Sequence, residues 1–519
     1  MKQILIGIFV VWPGIICHAQ NQNISNGNVF DGEPYLAVNP ANPQHMVVAW
    51  MSYVFPGIAI RTRATFDGGR TWGAVQVIPH TNPLYDGADP SLDFDNAGNL
   101  FLAFVDFDES AKTGAVVVVK STDGGRTWGA PVEVINAAAD VQKPIDRPWI
   151  AVDRSGGPHD GTIYVTTMPP TVFGYLPPPY RPYLTVSTDG GNSFHPWRYL
   201  DSAGWLAGNL IRSPMPTPCV AADGTFHAVY PSYMFSQNLL PRYIIASSTD
   251  GGSSFTYHTV FSAATGSKDP DAKKGYLLLA DPSDSSHLVF AYLELDYGDL
   301  DVFIRESYDK GATWGNPIRV NDDPTANNRI QDLLWGDFDT DGDLLLAWRD
   351  RRNGTDSTYA TAYEIWGAYR KKGAGGFSPN FRISDTLVAY DSILALSGND
   401  FMCVRLVGDT LNAVWGDTRN GTLNIWFQRM TVDGAPVGIR KIYTEKRPSV
   451  EIYPNPTADV LTVTGKRIRR IVVYSAQGKP VKQYEAGRRI DVHDLPAGPY
   501  WVHVVTREGT IITKMIKTE

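Results

Sequence analysis

The sequence predicts an all-β protein, a seven-bladed β-propeller followed by a small C-terminal β-sandwich. Three observations lead there. First, 48 glycines and 36 prolines in 519 residues punctuate the chain too often for a helical bundle, while 43% hydrophobic and only 19% charged residues exclude a disordered one. Second, an octet Ser/Thr-x-Asp-x-Gly-x-Ser/Thr-Trp/Phe recurs at Thr65–Trp72, Ser121–Trp128, Ser187–Phe194, Ser248–Phe255 and Ser307–Trp314. Third, a short apolar strand ending in a small residue, often followed by an aromatic, recurs seven times, as in MVVAW, LFLAF and LLLAW.

The elements follow in chain order. Lys2, an apolar run from Ile4 to Ile16 and the sequence Cys17-His18-Ala19 read as a secretory signal peptide over 1–19, cleaved after Ala19. Bulky Ile16 disfavours a lipid anchor on Cys17. No later segment reaches the roughly 18 uninterrupted apolar residues needed to cross a bilayer, so no transmembrane segment is expected in the mature chain. Cys219 and Cys403 remain, too few for a disulfide framework, and are expected to be buried small hydrophobes.

Taking Ala49, Ala103, Thr166, Val229, Ala291, Ala347 and Val414 as equivalent gives intervals of 54, 63, 63, 62, 56 and 67 residues, hence seven units. Each unit reads as four short antiparallel strands, which places a propeller over 28–443. Units six and seven keep only octet remnants, at Tyr369–Phe377 and Arg429–Gly434, so six blades is the alternative. Within the octet, Asp accepts bonds from its own turn, Gly supplies positive φ, and the aromatic folds back between sheets. The octets resemble the Asp-box of sialidase-like (BNR-repeat) propellers. That resemblance implies a structural role for Asp67, Asp123, Asp189, Asp250 and Asp309, and leaves activity open because fold does not fix function.

Beyond a linker at 444–449 the composition changes. Residues 451–519 hold 11 Lys and Arg against 7 Asp and Glu, a balance of +4, whereas 20–450 hold 34 against 47, or −13. The segments Tyr453-Pro454-Asn455-Pro456 and Leu495-Pro496-Ala497-Gly498-Pro499-Tyr500, with the ending Lys514-Met515-Ile516-Lys517, resemble the C-terminal sorting domain of the type IX secretion system of Bacteroidetes, matching over 450–519. The resemblance implies handling by that machinery and a secreted or outer-membrane cell-surface location.

Strand alternation puts the loops entering the inner strands, and those joining second to third strands, on one face, with the octet turns on the other. On the first face Arg147, Arg212 and Arg329 enter from three blades, and guanidinium forks suit a sugar carboxylate. Asp89 and Glu33 are the candidate catalytic carboxylates, since an apolar wall raises a neighbouring pKa. The competing role for the arginines is to pair with Asp86, Asp146 or Asp332 as ties between blades. Sialidases resemble this arrangement in using an arginine cluster, an acid/base Asp and a Glu-assisted Tyr, yet the Phe/Tyr-Arg-Ile-Pro motif is replaced here by Asp31-Gly32-Glu33-Pro34-Tyr35. Asp337-x-Asp339-x-Asp341-Gly342-Asp343 looks like a calcium loop but has Trp348 where an EF-hand needs Glu; a hairpin turn is expected, with structural calcium the alternative and no metal or cofactor otherwise. The paired segments Trp348–Gly354 and Trp415–Gly421 read as scaffold. An unusual aromatic loop, Pro169–Tyr180, projects from blade three.

The net charge of −8 disfavours nucleic acid and anionic membranes as partners. The sequence thus points to a glycan or glycoprotein as partner, with hydrolysis of a terminal acidic sugar as the candidate activity. The rival from another class is a non-catalytic surface propeller binding protein or polysaccharide. A lyase would need a His or Tyr base in the channel, and His80, His159 and His287 are not placed for it.

Overall fold

The computed structural model describes residues 21–237, 240–263, 275–390, 399–433 and 450–519, the last stretch without 466–467, 476–478, 486–487 and 507–508. The expected signal peptide and the 444–449 linker lie outside them. The chain falls into two compact units that divide after residue 438.

Among the described residues, the first unit holds seven four-stranded antiparallel sheets. Their inner strands are Asp31–Val38, Asp86–Phe94, Asp146–Val152, Thr217–Val220, Tyr276–Ala280, Gln331–Phe338 and Cys403–Val407. Each contacts the inner strand of the next blade, and the seventh contacts the first, so the ring closes. Blades pack face to face, which buries both sides of the middle strands and explains why MVVAW, AVVVV and LLLAW are continuously apolar rather than alternating. The seven residues aligned from the sequence occupy one structural position: Ala49, Ala103, Thr166, Val229, Ala291, Ala347 and Val414 pair with Tyr35, Ser91, Trp149, Thr217, Leu277, Trp335 and Cys403 of the inner strands.

Blade six has its own outer strand, Phe381–Arg382. The outer strand seen in blade seven does not follow its third strand in the chain. Instead Gln22–Asn23, ahead of the start expected at residue 28, pairs with Trp426 and Phe427. Asn21 fixes this joint: its amide nitrogen donates to Ile383 O and Gln428 Oε1, and its side-chain oxygen accepts from Asp385 N and Arg419 Nη1. Asn21→Ala strands these buried groups and is expected to lower stability by about 2–3 kcal/mol, measurable as a fall in the urea unfolding midpoint at unchanged slope.

The octets share one bonding scheme. In each, the first Ser or Thr hydroxyl donates to Asp Oδ1 and accepts the amide of the second glycine position, while the later Ser or Thr hydroxyl donates to Asp Oδ2 at 2.6 Å. The Ser193 hydroxyl and amide hold the Asp189 carboxyl down at about 2. In blade seven Thr431 still donates to Asp433, a vestige of the same turn. The Asp337–Asp343 segment is the expected hairpin turn: Asp339 N donates to Asp343 O, and Asp339 Oδ1 accepts from the amides of Asp341 and Asp343. Cys403 is buried, whereas Cys219 is only half-buried and lines a cavity of about 210 Å³ on the octet face.

The second unit is a β-sandwich of a three-stranded and a four-stranded sheet. Leu461, Val463 and Ile490 from the first meet Ile471, Val473, Val502 and Val504 from the second in its core.

Candidate functional site

The site arises from one repeated backbone device. In blades one, two, three and six the pairing register slips near the start of the inner strand, between Gly32 and Tyr35, Ala88 and Ser91, Asp146 and Trp149, and Asp332 and Trp335. In every case the bulged residue has positive φ: Glu33 (54°), Asp89 (52°), Arg147 (46°) and Leu333 (49°). None is glycine, so each carries conformational strain, the kind that is retained where a side chain must be aimed. In the first three blades proline follows, as Glu33-Pro34, Asp89-Pro90 and Arg147-Pro148.

These bulges deliver three side chains to one cavity of about 550 Å³, which Asp146, Asp400 and the blade-three segment Pro170–Phe173 also line. Toward the channel axis, Tyr35, Trp149, Trp335 and Phe401 pack ring against ring, with Tyr35 and Trp335 edge-on at 5.3 Å. Arg147 Nη2 donates to Asp400 Oδ2 at 2.7 Å, and the Arg147 amide lies 3.4 Å from Asp89 Oδ2.

Four carboxyl groups therefore surround one guanidinium. Burial pushes the Glu33 carboxyl well above the usual carboxylate range; the charges of Asp89 and Asp400 and a hydrogen bond with Asp89 push the same way, and Arg147 only partly opposes them. Asp146 is raised by burial first and then by Asp89, with which it also hydrogen-bonds. Against the cost of its own burial, Arg147 is held charged by Asp400, Asp146, Asp89 and Glu33. Glu33 is only 3% exposed, and its Oε2 has no hydrogen-bond partner although the residue lines the cavity. The cavity wall thus holds a carboxyl whose burial favours its neutral form, beside the ion-paired carboxylate of Asp400.

The expected convergence of three arginines is corrected. Arg147 alone lines the cavity. Arg212 is exposed and donates to the Gly174 carbonyl at 2.6 Å. Arg329 donates its amide to Asp299 Oδ2 at 3.0 Å and its guanidinium to the Asp356 carbonyl, between blades five and six. Each of these guanidiniums is bound to a loop carbonyl and neither lines the cavity, so the three do not share a pocket. Arg147 does form a tie, but to Asp400 of blade seven rather than to Asp146 or Asp86. Asp332, the third expected tie, is taken by Arg349 and Arg351 from its own blade. The Trp348–Gly354 and Trp415–Gly421 segments are scaffold in both blades: Trp348 and Trp415 donate to Asp350 and Asp417, which also bind Arg352 and Arg419.

Residues 451–518 match the family of the secretion system C-terminal sorting domain. The protein is exported by the type IX route and is extracellular or held at the cell surface; no helix among the described residues is long and apolar enough to cross a membrane. Removing 450–519 is expected to trap the chain in the periplasm, checked by fractionation and immunoblot, and normal extracellular yield would contradict it. No curated protein matches the sequence. Among solved structures, the chain is similar to a Hadza microbial sialidase (13% identity, 80% of this chain and 69% of that one, TM-score 0.44). It is also similar to a Penicillium chrysogenum α-L-arabinanase complexed with arabinobiose (14%, 80% and 99%, 0.44) and to the GH93 α-L-arabinofuranosidase of Fusarium graminearum (12%, 80% and 99%, 0.45).

Proposed function

We propose that the cavity binds the end of a neutral saccharide and that the protein is a secreted glycoside hydrolase. The observation that carries this is Glu33: a buried acid in the wall of the cavity whose proton is retained above the ordinary carboxylate range. In the proposed step Glu33 gives its proton to the glycosidic oxygen as the bond from that oxygen to the anomeric carbon breaks. Water adds to the anomeric carbon and gives up a proton to a carboxylate, so two carboxyl groups and one water balance the reaction.

The pair expected from sequence, Asp89 and Glu33, needs a change of roles. Acid and base in a glycosidase stand about 5–9 Å apart, whereas Asp89 hydrogen-bonds Glu33 itself. Asp89 is therefore a positioning residue that keeps the proton on Glu33. Asp400, ion-paired with Arg147 and lining the same cavity, is the carboxylate left to take the proton from water.

Charge selects the sugar. An acidic sugar would bring its carboxylate beside the charges of Asp89 and Asp400 and would have to displace Asp400 from Arg147, the only guanidinium among the described lining residues, while a neutral sugar meets no such penalty. The test is a panel of fluorogenic glycosides with the secreted chain. Turnover of a neutral glycoside, lost in Glu33→Gln, is expected. Turnover of a sialoside or glucuronide alone would reject the neutral-sugar assignment, and no turnover with retained glycan binding would favour the non-catalytic propeller.

A further inference from the structure

The large apolar side chains left exposed on the propeller are unevenly placed. Phe55, Leu84, Tyr175, Leu210, Phe235 and Tyr297 all belong to loops that enter inner strands or join second to third strands, the face on which the cavity opens. On the octet face the exposed rings of Phe66 and Tyr308 are already stacked, on His45 at 4.4 Å and on His287 at 4.6 Å.

Two of the exposed aromatics, Tyr175 (75% exposed) and Phe235 (66%), sit on a framework that holds them in place. Phe173 is buried and packs against Phe107 with centroids 6.2 Å apart. The Phe173 carbonyl accepts from Lys112 Nζ at 2.8 Å, the Gly174 carbonyl from Arg212 Nη2, and the Leu176 carbonyl from the Tyr180 hydroxyl at 3.0 Å. Backbone bridges from Tyr180 to Gly208 and from Gly208 to Tyr233 then tie three loops together, and Tyr233 meets Phe235 edge-on at 5.3 Å. Arg212 thus braces the loop that carries Tyr175. Loops fixed this way have little ordering entropy left to lose when a ligand lands on the rings they carry.

We propose that these three loops are a binding rim for a neutral polysaccharide, the rest of the chain whose end lies in the cavity, with Tyr175 and Phe235 each stacking on a sugar ring. The occupant is fixed by continuity, because the segment Pro170–Phe173 that walls the cavity runs directly into Tyr175. A chain leaving the cavity past that wall reaches the rim, and an aromatic face matches the apolar face of a sugar. The inference rests on the cavity being a saccharide site, and it makes the substrate a polymer.

The test compares the full secreted protein with Tyr175→Ala, Phe235→Ala and Glu33→Gln in affinity electrophoresis through xylan, galactomannan, linear arabinan and mixed-linkage β-glucan, with melting curves to confirm folding. Wild type and Glu33→Gln should be retarded by at least one polymer, and each alanine variant should bind it about fivefold more weakly, while its turnover of small aryl glycosides stays as in wild type. Equal retardation of wild type and both alanine variants, or none for wild type in any polymer, would overturn the rim. Loss of small-glycoside turnover in Tyr175→Ala would also overturn it, by placing Tyr175 inside the cavity. Aromatic-dependent retardation without any hydrolysis would uphold the rim and remove the catalytic assignment alone.

Discussion

Glu33→Gln is expected to abolish hydrolysis and at the same time stabilise the propeller at neutral and higher pH. The activity loss should be about 10²–10⁴-fold in kcat, the usual contribution of a positioned general acid. The stability gain follows from linkage. Glu33 is raised in the folded state by burial and by Asp89 and Asp400, so the folded chain keeps a proton that the unfolded chain has released. Wild-type stability is therefore full below the unfolded carboxylate value, near 4.3, and falls as pH rises through the folded value. The glutamine side chain is neutral at every pH and still has an N–H for Asp89, so the variant lacks this loss. Each unit by which the folded value exceeds the unfolded one is worth about 1.4 kcal/mol. Melting temperatures from pH 4 to 9 should coincide at the acid end and diverge above it, with the variant higher. A variant that melts below wild type at pH 8 would mean that Glu33 is ionised in the folded protein, and the proposed acid would be lost with it.

The propeller was legible because its signals are local. The octet writes its own hydrogen bonds within eight residues, and an apolar strand flanked by turns declares itself whatever blade it joins. That is why the seven residues aligned by pattern occupy one structural position from Ala49 to Val414. What escaped was non-local. The outer strand of blade seven comes from Gln22–Asn23, some 400 residues away, and two residues carry too little pattern to announce a strand. The site was half legible for the same reason. Glu33, Asp89 and Arg147 share a signal that can be read in sequence, a charged residue before proline at the mouth of three successive inner strands. The partner of Arg147 shares none: Asp400 is 253 residues distant and meets it only because the ring closes. Arg212 and Arg329 enter the correct face, but entry into a face does not determine where a long side chain ends, and nearby loop carbonyls captured both.

Arg147→Ala is expected to lower stability by about 2–3 kcal/mol, less than the 3–5 typical of a fully buried pair because the Arg147 and Asp400 side chains keep 23% and 27% of their exposure. The deficit should depend on pH in a definite direction. Without the guanidinium, Glu33 and Asp146 lose the positive charge that partly offsets their burial, which favours their protonated forms in the folded state still further. The variant then binds more protons folded than unfolded, so its stability relative to wild type worsens as pH rises and recovers toward pH 4. Adding Asp400→Asn should restore part of the loss, because the charge left unpaired is then gone, and a double-mutant cycle at pH 8 measures the coupling. The same variants separate the two uses of this arginine. If it is a tie among carboxylates, sialic acid and glucuronic acid should raise the melting temperature of neither wild type nor variant. An Arg147→Ala protein that melts as wild type does, yet loses binding of either acid, would show that the guanidinium is free for a ligand carboxylate, and the neutral-sugar assignment would fall.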